Sequence, residues 1–128
     1  MRRLLIDTHV FLWWLSDDPQ LGQKARDLIA NAENQVFVSA ATAWEISIKK
    51  SIGKLDAPDD LDAIAEKEGF EKLSISFFHG ERAGELPRHH HDPFDWMLVA
   101  QSQAEGLEFI TADNTISKYA IKTISALI

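Results

Sequence analysis

The sequence has no cysteine, and basic residues are in the minority. Without cysteine the chain forms no disulfide and has no thiol for catalysis, so a disulfide scaffold is excluded. Its 13 Lys and Arg against 20 Asp and Glu give a net charge of −7. A uniformly basic surface that coats nucleic-acid phosphates is therefore excluded. A role on nucleic acid remains open if the acidic groups are concentrated in a site that holds cations.

Long apolar runs and several common catalytic motifs are also absent. The segment Met1 to Ile6 begins like a signal peptide, but Asp7 and His9 interrupt it and no small-residue cleavage site follows. No P-loop, no His-Glu-x-x-His and no Gly-x-Ser-x-Gly motif occurs. We expect residues 1–128 to form a single domain of a cytoplasmic protein, with no membrane contact.

Short apolar runs alternate with amphipathic segments along the chain. The runs predict strands near residues 4–6, 36–38, 70–75, 107–111 and 122–124. The intervening segments predict helices over residues 8–15, 20–32, 40–51, 58–68, 77–86 and 93–104, and a short one after Asp113. Ser39 and Asp92 suit N-caps, and Pro58 suits a helix start. This alternation indicates an α/β domain with a mainly parallel sheet, which binds ligands beyond the carboxyl ends of its strands.

Four acidic residues from separate segments are expected to meet at that edge. Asp7 and Asp113 follow the first and fourth strands, Glu45 lies in the helix after the second strand, and Asp95 lies in the helix opened by Asp92. Clustered carboxylates repel and raise one another's pKa, and a hard divalent cation such as Mg²⁺ or Mn²⁺ relieves this. Carboxylates with such a metal favour phosphodiester hydrolysis by metal-activated water.

Each of these carboxylates also has a purely structural interpretation. Glu45 can pair with Lys49 at i+4, although Trp44 and Ile46 indicate a well-packed helix there. Asp95 can simply favour the helix dipole. The positions that suit helix N-caps are Asp7, Asp92 and Asp113. The joint placement of the carboxylates, rather than any single one, indicates the metal site.

Other features allow two interpretations each. Three adjacent histidines, His89 to His91, cannot easily face one ion, so we expect a solvated loop or an RNA-backbone contact rather than zinc binding. The aromatic residues Phe11, Trp13 and Trp14 are expected in the core or on a dimer or partner face rather than stacking on bases. A basic rim for phosphates, or an ordinary solvated surface, would comprise Lys49, Lys50, Lys54, Arg82 and Arg88.

Four ordered motifs resemble those of PIN-domain proteins of the VapC toxin type. They are Leu5-Ile6-Asp7-Thr8-His9, Trp44-Glu45-Ile46-Ser47-Ile48-Lys49, His91-Asp92-Pro93-Phe94-Asp95 and Thr111-Ala112-Asp113. The resemblance spans the whole chain, including Gly53-Lys54-Leu55 and Val99-Ala100-Gln101. Members with the Asp-Pro-Phe-Asp motif commonly place Arg next, where this chain has Trp96. That departure concerns substrate or partner contacts, because the acidic positions are intact.

The resemblance implies a three-layer α/β/α fold and a metal-dependent endoribonuclease that is the toxin of a toxin–antitoxin pair. By position, Asp7, Glu45, Asp95 and Asp113 match the family's acidic, metal-binding site, with Mg²⁺ or Mn²⁺ as cofactor. Asp92 is a candidate for its outer shell, and Thr8 adds a hydroxyl near the metal or starts the helix. The implied partners are a cognate antitoxin and an RNA substrate, and we expect a homodimer.

Two alternatives come from other functional classes. A haloacid-dehalogenase-like phosphatase also places Asp after its first strand, but expects a second Asp where His9 stands. A non-catalytic binding module that kept the PIN fold would not need intact acidic positions. Metal-dependent RNA cleavage that is lost in Asp7→Asn distinguishes the enzyme from the binding module, and hydrolysis of small phosphomonoesters would favour the phosphatase.

Overall fold

The computed structural model describes all of residues 1–128. Its strands are β1 (Arg3–Ile6), β2 (Gln35–Ser39), β3 (Glu71–Leu73), β4 (Glu108–Thr111) and β5 (Thr123–Ser125). Its α-helices are α1 (Thr8–Ser16), α2 (Gln23–Ala30), α3 (Ala40–Ser51), α4 (Leu61–Lys67), α5 (Phe77–Glu85) and α6 (Pro93–Glu105). A short 3₁₀ helix covers Asn114–Lys118. The predicted alternation of strands and helices is confirmed.

The five strands form one parallel sheet in the order β3-β2-β1-β4-β5. In the central strand β1, Leu5 lies opposite Phe37 of β2 and Phe109 of β4. The order reverses at β1, so the chain leaves β1 and β4 at adjacent points of the carboxyl edge. Such a point is where open α/β sheets form ligand-binding crevices.

Helices cover both faces of the sheet, which confirms the three-layer α/β/α fold. Side chains of a strand alternate between faces, so Leu4 and Ile6 pack with α1, α2 and α4, and Leu5 packs with α5 and α6. Helix α3 contributes to both layers through Ile46 and Ala41. Because β1 is covered on both faces, it reads as a continuous apolar run, Leu4-Leu5-Ile6.

Three elements have bounds that differ from the sequence prediction. Pro58 does not begin α4; it lies in the preceding loop, and Asp60 caps the helix with its side chain accepting from the backbone N of Ala63. Helix α2 begins later than residue 20, because Gly22 is its N-cap. The third strand is limited to Glu71–Leu73, where it pairs with β2.

No helix combines the length and the apolar character that crossing a bilayer requires.

Candidate active site

Asp7 lies between β1 and α1 and is 6% exposed. Its Oδ1 accepts a hydrogen bond of 2.8 Å from the backbone N of Val10, which confirms the N-cap interpretation. Burial raises the pKa of Asp7, and the hydrogen bonds from Thr111 and Val10 oppose part of this rise. Asp7 is therefore a buried carboxylate at the carboxyl edge of the sheet, and its role as a cap occupies only one of its two oxygens.

Glu45 lies in α3 with only 3% of its surface exposed. Its Oε1 accepts a hydrogen bond of 2.8 Å from Thr8 Oγ1, and its Oε2 lies 2.5 Å from Lys49 Nζ. The predicted pair with Lys49 is confirmed, and the Thr8 contact ties the start of α1 to α3. The expected packing around Glu45 is correct for Ile46, which is fully buried, but wrong for Trp44, which is 60% exposed.

Asp95 lies in the first turn of α6, and its carboxyl group has a strongly raised pKa. Burial raises the pKa of Asp95 to about 7, and the negative charges of Asp92, Asp7 and Glu45 contribute, while His90 opposes them. Asp7 and Glu45 therefore lie near enough to Asp95 to raise its pKa, although their oxygens are outside the group of ligand atoms within 4.8 Å of one another that Asp95 forms with His90 and Asp113. Three of the four carboxylates singled out in the sequence thus influence one another at the predicted edge.

Asp113 joins this group through His90. Its Oδ1 accepts a hydrogen bond of 2.8 Å from the backbone N of Thr115, so Asp113 caps the 3₁₀ helix. Its Oδ2 lies 2.7 Å from His90 Nε2. Burial raises the pKa of Asp113, but the hydrogen bonds from Thr115 and His90 outweigh it and the net shift is downward. Side-chain atoms of His90, Asp95 and Asp113 all lie within 4.8 Å of one another.

Asp92 is the N-cap of α6, as one of its interpretations predicts. Its Oδ1 accepts a hydrogen bond of 2.9 Å from the backbone N of Phe94, and Pro93 occupies the first turn. Its charge nevertheless raises the pKa of Asp95, for which burial is the larger cause. It also raises the pKa of Lys49, for which the hydrogen bond to Glu45 is the larger cause. Asp92 therefore borders the acidic group.

His90 is the residue that sequence reasoning missed. His89 and His91 are exposed, as a solvated loop requires, but the side chain of His90 is only 20% exposed and contacts two site carboxylates. The expectation of a solvated loop is therefore wrong for His90. A local signal was present, because a His two residues before a helix-capping Asp can accept the backbone N–H of that Asp, as His90 Nδ1 does at 3.1 Å.

The expected basic rim is largely neutralised by contacts within the chain. Lys50 pairs with Asp59 at 2.6 Å, and the Arg88 guanidinium lies 4.1 Å from the ring centroid of Trp96. Arg82 lies 3.6 Å from Glu85 on the surface, and Lys49 is committed to Glu45. Lys54 and Arg88 have no ion pair, and Arg88 donates instead to the backbone carbonyls of Leu86 and Gly84. A continuous row of free cations is therefore not part of this structure.

The N-terminal aromatic residues belong mainly to the core. Phe11 is 1% exposed, which confirms its expected burial. Trp13 and Trp14 are half-buried against the same cluster, and Trp14 Nε1 donates a hydrogen bond of 2.8 Å to Glu68. These contacts favour packing over base stacking.

The donor set fits a hard divalent cation. Its oxygens come from carboxylates, which are the ligands that Mg²⁺ and Mn²⁺ prefer. Burial first, and then the charges of Asp92, Asp7 and Glu45, raise the pKa of Asp95, and a bound cation would favour its ionised form. Asp7, Glu45 and Asp95 would supply carboxylate oxygens to that cation, with Asp113 adjoining them.

Comparison with known proteins agrees with the fold. The sequence model of the PIN domain matches residues 4–122. Among solved structures, the chain is similar to VapBC2 from Rickettsia felis bound to a promoter DNA fragment, at a TM-score of 0.67 and 15% identity, covering 96% of this chain and 98% of the other. DNA-bound VapBC from Salmonella typhimurium gives a TM-score of 0.68 and 20% identity, with 98% of each chain covered.

A toxin–antitoxin complex from Klebsiella pneumoniae gives a TM-score of 0.66 and 20% identity, with 94% of this chain and 95% of the other covered. At these identities the structural likeness shows the fold alone. No curated protein matches the sequence. The family is shown by the sequence match over residues 4–122, which agrees with the parallel sheet and its acidic carboxyl edge. The chain therefore belongs to the PIN-domain family.

Proposed function

We propose that this protein is a metal-dependent endoribonuclease of the VapC type, which hydrolyses phosphodiester bonds of RNA. The single observation that carries the proposal is the state of Asp95, whose pKa is raised to about 7 by burial and by the charges of Asp92, Asp7 and Glu45. Such clustered charge is costly unless a cation is bound. Family membership adds to this, because PIN domains are nucleases in general.

We propose that Asp7, Glu45 and Asp95 hold Mg²⁺ or Mn²⁺ directly, and that Asp113, whose two oxygens accept from Thr115 and His90, borders the same site. When bound, the cation would supply a Lewis acid that activates water and neutralises charge on the phosphate. Thr8 positions Glu45 through its 2.8 Å hydrogen bond. Lys49 lies close enough for its pKa to be raised by Glu45, Asp92 and Asp95, and its side chain is 39% exposed, so it can also contact a substrate phosphate.

The experiment is an RNA cleavage assay with and without Mg²⁺, combined with calorimetric titration of the metal. Asp7→Asn and Asp95→Asn are expected to lose cleavage by at least about 100-fold and to lose most of the metal affinity. Asp56→Asn is the matched control, because it removes the same charge from an exposed position. Cleavage or affinity that is unchanged in both site variants would refute the proposal, and hydrolysis of phosphomonoesters without RNA cleavage would favour the phosphatase.

We further propose that a cognate antitoxin restrains the activity. The structures from Rickettsia felis, Salmonella typhimurium and Klebsiella pneumoniae are described as VapBC or toxin–antitoxin assemblies. An Arg or Lys of such a partner could pair with the site carboxylates by charge-assisted hydrogen bonds. An apolar cavity of about 250 Å³ between Phe11, Leu61 and Leu73 offers a place for an apolar side chain of the same segment.

Co-expression with the neighbouring small gene tests the antitoxin proposal. We expect growth arrest when this chain is expressed alone and rescue when the neighbour is present, with a complex that survives gel filtration. The antitoxin proposal would be contradicted if the neighbouring gene product neither relieves the toxicity nor binds this protein. Sequencing the cleaved RNA ends after induction would identify the substrate.

We also propose a homodimer. Its surface would be formed by exposed apolar residues of α3 and α5 rather than by the aromatic residues of α1 that the sequence suggested. Phe11 is buried in the core, whereas Trp44 of α3 is 60% exposed and packs edge-on against Phe94 of α6 at 5.2 Å between ring centroids. The exposed Ile75 lies just before α5, and the largely exposed Phe77 is the first residue of that helix. Sedimentation analysis of Trp44→Ser against the wild type tests this surface, and a dimer that is unaffected would exclude it.

A further inference from the structure

The imidazole of His90 lies between two site carboxylates. Its Nε2 is 2.7 Å from Asp113 Oδ2 and 3.3 Å from Asp95 Oδ2, and its Nδ1 is 3.1 Å from the backbone N of Asp92. With 20% of its side chain exposed, the ring contacts Asp95 in the first turn of α6 and Asp113 at the start of the 3₁₀ helix. It is the only non-carboxylate group among the clustered candidate ligand atoms.

The hydrogen bond to Asp92 determines which ring nitrogen of His90 carries the proton. A backbone N–H can only donate, so Nδ1 must present its lone pair, and the proton of the neutral ring is on Nε2. Nε2–H therefore donates to Asp113. A histidine that ligates a metal normally donates its other N–H to a neighbouring acceptor, and here that other nitrogen is itself an acceptor. In this conformation His90 faces the carboxylates as a donor rather than as a ligand.

The backbone of His90 is hydrogen-bonded on both sides, and its ring is oriented by the contact between Nδ1 and the backbone N of Asp92. Its N donates a hydrogen bond of 3.1 Å to Tyr119 Oη, and its carbonyl O accepts one of 2.6 Å from Trp96 Nε1. The Arg88 guanidinium covers the other part of the Trp96 ring. Tyr119 and Trp96 thus position the His90 backbone from which the ring reaches Asp113.

Both oxygens of Asp113 consequently have donors, Thr115 N on Oδ1 and His90 Nε2 on Oδ2. The positive end of the Nε2–H dipole points into the gap between Asp113 and Asp95, where a cation would be repelled. We propose that His90 limits the acidic site to one divalent cation, on the side of Asp7, Glu45 and Asp95, by filling the gap between Asp95 and Asp113. This inference rests on the proposed metal-dependent function.

The test counts bound Mn²⁺ by electron paramagnetic resonance and calorimetry. We expect one ion per chain in the wild type and two in His90→Asn, whose oxygen can still accept the Asp92 N–H but whose side chain is too short to reach Asp113. His90→Gln restores an amide N–H near the position of Nε2 and is expected to return the count to one. His91→Ala, at an exposed neighbouring position, is the matched control and is expected to bind one ion.

A second measurement does not depend on any variant. Nitrogen-15 NMR of the metal-free protein is expected to show His90 protonated at Nε2 and unprotonated at Nδ1, and the reverse tautomer would overturn the inference.

Two ions in the wild type, or one ion in both His90→Asn and His90→Ala, would also overturn it. A tenfold loss of affinity in these variants would instead make His90 a ligand. If neither the wild type nor any variant binds Mn²⁺, the proposed metal-dependent function fails together with this inference. If the wild type and the His90 variants all bind one ion, only this inference is refuted.

Discussion

The indole Nε1 of Trp96 donates a hydrogen bond of 2.6 Å to the carbonyl oxygen of His90. The resemblance to VapC-type proteins led us to expect Arg at the position of Trp96, and this contact gives the Trp a structural role there. The ring also packs under the guanidinium of Arg88. Trp96 therefore fastens the loop between α5 and α6 onto the first turn of α6, next to Asp95.

We predict that Trp96→Phe lowers the free energy of unfolding by about 1–2 kcal/mol, because the carbonyl of His90 loses its donor and the cation–π contact weakens. Urea unfolding gives the magnitude, and hydrogen exchange should show faster exchange at His90 and Asp92. Trp44→Phe is the control, since Trp44 is 60% exposed and makes no side-chain hydrogen bond. Equal effects of the two substitutions would show that the Trp96–His90 contact has no special weight.

A second prediction concerns the hydroxyl that supports Glu45. Thr8→Val keeps the shape of the side chain but removes the 2.8 Å hydrogen bond to a carboxylate that is 3% exposed. We expect a loss of about 1–3 kcal/mol, since a buried charged group is left with one fewer donor. Thr42→Val is the control, because the Thr42 hydroxyl lies 3.1 Å from that of Thr8 and makes no contact with Glu45. Urea unfolding of both variants checks this, and a larger loss in Thr42→Val would contradict it.

The third prediction is a pH dependence at the opposite end of the sheet. Hydrogen bonds from Arg2, and secondarily Lys122, lower the pKa of Glu108 to about 2 from 4.5. A lowered folded-state pKa means that the pairing stabilises the fold above pH 4.5 and that this contribution is lost as the pH falls toward 2. Arg2 and Lys122 are 40% and 72% exposed, and we therefore expect about 1 kcal/mol rather than the full value of the shift.

Urea unfolding of Glu108→Gln at pH 7 and near pH 2 measures this contribution. The difference from the wild type should be present at pH 7 and should vanish near pH 2. Glu85→Gln, which breaks an exposed pair with Arg82 at 3.6 Å, serves as the control and should change stability by no more than about 0.5 kcal/mol. A difference for Glu108→Gln that is the same at both pH values would show that the effect is not electrostatic.

Local signals account for the part of the fold that the sequence predicts correctly. Ser39 and Asp92 cap α3 and α6 because their side chains accept backbone N–H groups only two residues away. Apolar strands buried on both faces are equally readable, as Leu4-Leu5-Ile6 shows. The sequence did not predict Asp60 as the cap of α4, because Pro58 suited a helix start two residues earlier. Asp60 caps the helix in a left-handed conformation, with φ of 56°, which no local sequence signal indicated.

The acidic site is only partly predictable for a different reason. Asp7 follows β1, α3 with Glu45 begins directly after β2, and α6 with Asp95 begins at the same edge because it precedes β4, so the parallel topology predicts that the three carboxylates lie toward one edge of the sheet. His90 contacts Asp113 across 23 positions of sequence, and no periodicity or cap signal reports such a pair. The commitment of Lys49 to Glu45 follows the i+4 rule, whereas the stacking of Arg88 on Trp96 depends on the path of a loop.

The effect of Asp95→Asn on the stability of the fold is expected to be opposite in the absence and in the presence of metal. The pKa of Asp95 is raised to about 7, so between pH 3.8 and about 7 the folded chain holds a proton that the unfolded chain has lost. Stability therefore falls as the pH rises through this window, and above it the ionised Asp95 destabilises the fold in full. Without metal, Asp95→Asn should be more stable than the wild type by about 2 kcal/mol at pH 8 and by little at pH 4.

Saturating Mg²⁺ should invert this order at pH 8. The wild type gains stability because the cation binds only the folded chain and relieves the same repulsion, whereas Asp95→Asn has lost a ligand and gains little. Thermal unfolding in a chelator and in Mg²⁺ measures both effects, with Asp56→Asn as a control that should follow the wild type in each condition. If Asp95→Asn is no more stable than the wild type in chelator at pH 8, the acidic group is not under electrostatic strain. If the wild-type melting temperature ignores Mg²⁺, these carboxylates do not form the cation site.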